Sequence, residues 1–374
     1  MISEENFGIY IHFPFCRRKC LYCDFYSVGE SMADWEAFAI AVESEYRNGS
    51  KLIPENSIVS LYMGGGTPSL APLEVIKRFR EMIRFAVGEF TIEVNPDDVT
   101  PEKARGWKEA GVNRVSMGVQ SLNDEELRTI GRRHTSSDVF RAYSILREYF
   151  DNISLDLIFG LPGQSLGSLV ETIAGFIELR PEHISAYSLM YEERSALTRL
   201  RDKGKITEVA EEDSVEMFRL LTSKLREAGY ERYEISNYAL AGYRSHHNSN
   251  YWQGIPYIGL GPSAHSYDGK NERRYNRADL SLYIKNQGRS IEGAEIEILS
   301  ENELREEMIM TRLRTCEGLD LIQFQDCFGE KERKKLEKKA MRYVRSGHLI
   351  RSENAITLSD AGVMISDEII ADLF

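Results

Sequence analysis

The chain has 374 residues, 42% of them hydrophobic, with a formal net charge of -12 and five cysteines. That length supports two or three structural units around a sizeable core, no apolar run approaches the roughly 20 residues of a membrane span, and the acidic balance disfavours nucleic acid as principal partner. An odd, clustered cysteine count with no secretory leader points to a reducing, cytoplasmic setting without disulfides.

In chain order, apolar runs bounded by turn residues alternate with longer amphipathic stretches, the pattern of repeated strand–helix units around a parallel sheet. Strands are expected at residues 7–12, 58–63, 90–94, 114–118, 153–158 and 183–188, with helices between them at 32–47, 73–86, 101–110, 137–149 and 166–179. Six such units make an α/β fold, either an open, partial (β/α)6 barrel or a doubly wound sheet. Periodicity does not separate the two, and in both the ligands sit at the C-terminal ends of the strands.

Just after the first strand, Cys16, Cys20 and Cys23 fall within eight residues. Three thiolates on one short loop can hold three irons of a cubane cluster and leave the fourth open to a ligand. Structural zinc and free thiols compete with this reading, but a zinc loop normally brings a second Cys or His pair, and none is spaced for it. Cys316 and Cys327 are read as ordinary buried thiols.

Each later strand ends in polar or glycine residues. The second runs into Gly64-Gly65-Gly66-Thr67-Pro68, where missing side chains bring a ligand near backbone groups; alone, such a run is often only a tight turn. The third ends in Glu93-Val94-Asn95-Pro96 and the fourth in Gly118-Val119-Gln120-Ser121, while the fifth carries Asp156 before Gly160-Leu161-Pro162-Gly163. Carboxylates suit ribose hydroxyls, and an arginine such as Arg132 suits a small carboxylate.

CxxxCxxC followed in order by GGGTP, IEVNP, MGVQS and DLIFGLPGQ resembles the radical S-adenosylmethionine superfamily, and within it the coproporphyrinogen oxidase-like branch. The resemblance implies a [4Fe-4S] cluster on Cys16, Cys20 and Cys23 whose fourth iron is chelated by S-adenosylmethionine. It also implies that Tyr10 and Tyr22 line the cluster loop and that Gly65, Gly66 and Thr67 meet the methionyl end of the cofactor. Glu93, Gln120, Arg132 and Asp156 would complete that pocket, and Met190 would contact adenine.

Three features divide the branch. Oxygen-independent coproporphyrinogen oxidases, as a family, carry a further cysteine two residues after the third ligand, where this chain reads Cys23-Asp24-Phe25. Only residues 1–9 precede the first motif tyrosine, Tyr10, whereas the oxidases have an N-terminal extension. Finally, His246-His247-Asn248-Ser249-Asn250-Tyr251-Trp252 matches the HNxxYW motif of the haem chaperone family HemW. This implies haem contacts from His247, Asn248, Tyr251 and Trp252, with His246 and His265 as other candidate ligands; without that context a packed aromatic loop is the plainer reading.

Residues 236–300 read as a segment connecting a barrel at 1–235 to a unit at 301–374. The last unit shows helices at 301–313, 319–328 and 330–345 and a hairpin around 349–358, resembling a winged-helix domain. Between Glu330 and Arg351 stand nine Lys or Arg against three Glu, but Leu336, Ala340, Tyr343 and Val344 share one helical face, which leaves the basic residues as its solvated opposite. The expected protein binds haem and hands it to acceptor haemoproteins, without nucleic acid or a membrane span, though peripheral membrane association is compatible with it. The rival is oxidative decarboxylation of coproporphyrinogen III.

Overall fold

Alternation along the strands decides which side of the sheet is apolar. In β1 (Asn6–Phe13) Ile9, Ile11 and Phe13 are fully buried in the core, so Tyr10 and His12 take the opposite face. The pattern recurs in β2 (Ile58–Gly65), β3 (Ala86–Val94), β4 (Arg114–Gln120), β5 (Ile153–Phe159) and β6 (His183–Ser188). Leu61, Ile92, Met117, Leu155 and Ile184 join the same core, while Ser60, Glu93, Arg114, Asp156 and Ser185 alternate with them and give the sheet a polar inner side. The structure is a computed structural model describing residues 6–54, 57–288 and 294–374.

The six strands are parallel and neighbour one another in sequence order, the arrangement of an open (β/α)6 barrel. The expected helices are present as α1 (Trp35–Gly49), α2 (Leu73–Met82), α3 (Pro101–Glu109), α5 (Ser136–Arg147) and α6 (Leu166–Leu179). α2 stops four residues before its expected end because Ile83 turns extended (φ -84°, ψ 111°) and is buried, leading the chain into β3. Among the described residues up to 230, three further helices were not anticipated: α4 (Asp124–Thr129), α7 (Ala196–Asp202) and α8 (Glu211–Glu227). The signal for α8 was legible, since Met217, Phe218, Leu221 and Leu225 are buried at helical spacing behind an acidic first turn.

Among the described residues, those beyond 230 enlarge the sheet to twelve strands. β7 (Glu231–Arg232) and β8 (Asn237–Ala239) extend it antiparallel beyond β6. After α9 (His246–Trp252), β9 (Tyr257–Leu260) lies parallel against the free edge of β1. Beyond it follow β10 (His265–Tyr267), β11 (Glu272–Asn276), α10 (Leu280–Lys285) and β12 (Ala294–Ile298). The span 236–300 thus supplies strands at both edges of the six-strand unit.

The C-terminal unit has its own core of Ile309, Leu313, Phe324, Leu336, Ala340, Ile356 and Ile369. It comprises α11 (Glu301–Leu313), β13 (Leu319–Asp320), α12 (Leu321–Phe328), α13 (Glu330–Arg345), the hairpin β14 (Leu349–Arg351) and β15 (Ala355–Leu358), α14 (Asp360–Val363) and α15 (Ser366–Leu373). On α13 the basic side chains face outward in ion pairs such as Lys334–Glu330 and Lys335–Glu332, as a solvated face requires. Cys316 and Cys327, expected to be buried, are exposed; neither takes part in this core. Among the described residues no helix is long and apolar enough to cross a membrane.

Candidate functional site

The three-cysteine loop opens where β1 ends. Phe13 and Phe15 are fully buried among Trp35, Phe38 and Phe79, which pins the chain entering the loop. Phe15–Cys16 then runs parallel to Val28–Gly29, closing the loop on itself. Within it the Cys23 N–H donates to the Cys20 carbonyl (3.3 Å), and the Leu21 N–H donates to the Ile130 carbonyl (3.1 Å). The Thr67 hydroxyl donates to Cys16 Sγ and Arg132 Nη1 to Cys20 Sγ, both at 3.5 Å. Burial pushes the Cys16 thiol up and the Cys23 thiol up to about 11, so deprotonation for ligation falls to a bound metal rather than to the protein.

Against this loop lies the glycine turn at the end of β2. The Gly66 N–H donates to the Phe13 carbonyl (2.7 Å), and a Cβ on Gly66 would come within 2.6 Å of that oxygen and 2.8 Å of the Phe15 carbonyl. Gly65 has φ +100°, and a Cβ there would meet the His12 ring at 2.4 Å. Only glycine fits either position, which lifts the run above an ordinary turn. The cradle brings backbone to the edge of the cysteine loop, the placement that a cluster-bound ligand needs.

The strand ends supply the rest of a cavity of about 420 Å³, which the three cysteines, the glycine cradle and Thr67 all line. Glu93 Oε1 accepts from the Tyr62 hydroxyl (2.8 Å) and Oε2 from the Gly65 N–H (3.1 Å). Asp156 Oδ1 accepts from the Ser116 hydroxyl (3.2 Å). Burial pushes Glu93 up to about 7, with Asp156 adding to the rise, and burial likewise pushes Asp156 up to about 6. Two carboxyls that titrate near neutrality hold or release a proton readily as a polar ligand arrives.

Arg132 faces them, its Nη2 donating to Asn95 Oδ1 (2.8 Å) and to the Gly118 carbonyl, while its buried Nε has no partner among the described residues. Gln120 reaches the cavity from a left-handed conformation (φ 72°) at a bulge in β4, strain of the kind that concentrates at functional sites. Tyr22 also lines the cavity. Met190 does so from the rim and is 67% exposed. Tyr10 lies outside the lining, on the inner side of β1, where its hydroxyl meets His12 Nδ1 at 3.1 Å. Asn95, Ser116 and Tyr187 also line the cavity without having been singled out; Asn95 had a signal in its place directly after the third strand, and Ser116 and Tyr187 in the alternation of theirs.

Residues 10–174 match the radical SAM superfamily, and residues 299–365 match the HemN C-terminal domain. The chain is 35% identical over 370 residues to the heme chaperone HemW of Bacillus subtilis, covering 96% of this chain and 97% of that protein. The chain belongs to the HemW family of the radical SAM superfamily. It is also 30% identical to the mitochondrial radical S-adenosyl methionine domain-containing protein 1 of Bos taurus, over 99% of this chain and 88% of that one. Coproporphyrinogen III oxidase (HemN) from Escherichia coli shares the fold, with a TM-score of 0.82 at 22% identity over 99% of this chain and 91% of that one. Membership of the superfamily implies a [4Fe-4S] cluster and S-adenosylmethionine, and the thiol loop, glycine cradle and paired carboxyls fit them.

The HNxxYW residues stand apart from this cavity. They form the short helix α9, whose N-terminus is capped by Glu89: the carboxylate accepts from the His246 and His247 N–H groups, both at 2.9 Å, and from the Ser245 hydroxyl at 3.4 Å. His247 is 1% exposed. Its Nδ1 bonds the Ser60 hydroxyl and its Nε2 the Tyr251 hydroxyl, both at 2.9 Å, and burial pushes it down to about 4, so the ring is neutral. In this conformation His247 presents no free nitrogen to an iron. Asn248 is half-buried, while Trp252 faces a separate cavity of about 400 Å³ shared with Arg312 of the C-terminal unit. His246 and His265 are exposed, the latter stacked on Tyr275.

Proposed function

We propose that this protein binds haem in the cytoplasm and passes it to acceptor haemoproteins, supported by a [4Fe-4S] cluster on Cys16, Cys20 and Cys23 and by S-adenosylmethionine in the adjoining cavity. The relatives named as heme chaperones match it nearly end to end. The observation that carries this reading over the oxidase is Phe25, which lines the cavity mouth and is 62% exposed where the coproporphyrinogen oxidases carry a further cysteine.

When bound, the cluster and its cofactor supply one-electron redox chemistry. The chain's own residues bind and orient. Gly65, Gly66 and Thr67 receive the methionyl end, Glu93 and Asp156 accept from ribose hydroxyls, and Arg132, held in place by Asn95 and the Gly118 carbonyl, sets its positive charge toward a carboxylate, with Tyr22, Gln120 and Met190 completing the pocket. His247, Asn248, Tyr251 and Trp252 are the proposed haem contacts. Coordination by His247 requires α9 to turn its inner face outward and give up the Ser60 and Tyr251 bonds.

An anaerobic haem titration of the reconstituted protein, followed by visible absorption, tests the reading, with His246→Ala and His247→Ala alongside and coproporphyrinogen III consumption assayed in parallel. Stoichiometric haem binding weakened by one substitution, without turnover, is the expected result. Vinyl product without a specific haem spectrum replaces the chaperone reading with the oxidase.

A further inference from the structure

We infer that Tyr62 couples the cofactor cavity to helix α9, so that a ligand drawing on Glu93 at the C-terminal end of the barrel loosens His247 at the N-terminal end. The inference rests on the cofactor assignment above and deepens the haem reading by giving the buried HNxxYW histidine a release mechanism.

The links form one continuous column through the polar inner side of the sheet. At the top, the Gly65 N–H of the cradle and the Tyr62 hydroxyl each occupy one oxygen of the Glu93 carboxyl. Below, the Tyr62 ring stacks on the His247 imidazole with centroids 5.0 Å apart and planes at 25°. At the bottom, Ser60 and Tyr251 hold the two imidazole nitrogens, and Asn250 of the same helix donates to the Ser60 hydroxyl at 3.2 Å. Tyr62 and Ser60 sit two residues apart on one strand, so they share its inner face and move as a unit.

A second arm reaches His247 from the cysteine loop. The Tyr26 carbonyl, three residues beyond Cys23, can only accept, so His12 Nε2 carries the proton of the bond between them (2.8 Å). Burial keeps that ring neutral, so its Nδ1 is bare and accepts from the Tyr10 hydroxyl (3.1 Å). The Tyr10 ring lies 6.4 Å from His247, in a stacked orientation. This accounts for a motif tyrosine that does not line the cofactor cavity.

The physical basis is sharing of the carboxylate's charge. Each Glu93 oxygen accepts one protein donor and keeps a second lone pair, so a hydroxyl or ammonium group entering the cavity adds a donor to the same carboxylate, draws on its charge and weakens the Tyr62 bond. Tyr62 then loses the contact that fixes its tilt, and His247 loses a packing face. Because coupling between two binding events is reciprocal, a looser α9 must in turn favour the cofactor.

The test is hydrogen–deuterium exchange of residues 246–252 in the full chain carrying its reconstituted cluster, with and without saturating S-adenosylmethionine. The cofactor should speed exchange of these amides roughly fivefold or more, the lower range of couplings between sites. Tyr62→Phe keeps the ring and deletes the hydroxyl, so α9 should exchange at the loosened rate with or without cofactor. Absence of a response in wild type, or an undiminished response in Tyr62→Phe, overturns the coupling. Ser60→Ala acts from the far end and covers a Tyr62→Phe protein that no longer takes up cofactor: reciprocity requires it to bind S-adenosylmethionine roughly fivefold tighter, and unchanged affinity overturns the coupling. A wild type that takes up no haem removes the haem reading and leaves the exchange result standing; one that takes up haem with an unresponsive α9 removes the coupling alone.

Discussion

Gly66→Ala probes the joint on which the whole cavity depends. The added Cβ would lie 2.6 Å from the Phe13 carbonyl and 2.8 Å from the Phe15 carbonyl, where ordinary contact begins near 3.4 Å. Both atoms are backbone, so no rotamer change relieves the clash, and the end of β1 must part from the glycine turn by about 0.6–0.8 Å. Overpacking of this kind costs about 1–3 kcal/mol, and loss of the Gly66–Phe13 hydrogen bond adds about 1 kcal/mol. Cys16 directly follows Phe15, so the strain is relieved by moving the cysteine loop away from the cradle. Set against ligand binding, roughly 2–4 kcal/mol weakens S-adenosylmethionine affinity about 30- to 700-fold. Calorimetric titration of the anaerobically reconstituted protein measures this, with iron and sulfide per chain determined on the same sample. Gly167→Ala, whose Cβ would find only the Ser165 hydroxyl at 3.7 Å, is the control. A Gly66→Ala protein that binds the cofactor within threefold of wild type with full iron content would refute this account of the cradle.

Arg132→Lys keeps the charge but cannot span Asn95, the Gly118 carbonyl and Cys20 together; calorimetry should show cofactor affinity lower by about ten- to hundredfold, for a loss of roughly 1.5–3 kcal/mol. Glu89→Gln removes the charge that caps α9 and sets an amide against a backbone N–H, costing roughly 2–4 kcal/mol locally; amide exchange in α9 should rise at least tenfold while exchange in α13 stays unchanged. Glu45, buried and held by Tyr283, Asn276 and the Gly261 N–H, is pushed by burial up to about 7. Since its folded pKa lies above the unfolded value, its contribution to stability is complete below about pH 4.5 and is lost as pH rises through about 7. Urea unfolding at several pH values should show that loss, and Glu45→Gln should flatten it across this window.

Periodicity made the six parallel strands and their five helices legible because each strand buries one face on helices and each helix buries one stripe on the sheet. The same logic missed the last turn of the second helix, where Ile83 obeys the sheet rather than the run before it. It also missed α9, which is seven residues long, too short for a periodic signal, and which is held by Glu89 from 157 positions away in the chain.

The sequence by itself determined the chemistry available: three clustered thiols, a glycine turn, acids and an arginine at successive strand ends, and a phenylalanine in place of a further cysteine. Tertiary structure alone decided how these meet. The parallel register brings Glu93, Asp156 and Arg132 around one cavity beside the thiols and leaves Tyr10 outside its lining. It also turns His247 inward against Ser60 and Tyr251, with both nitrogens bonded. Spacing along a chain reports which side chains share a face; which of them are satisfied by a partner far away in sequence is set by packing, because a buried polar group must find its hydrogen bond wherever the fold places one.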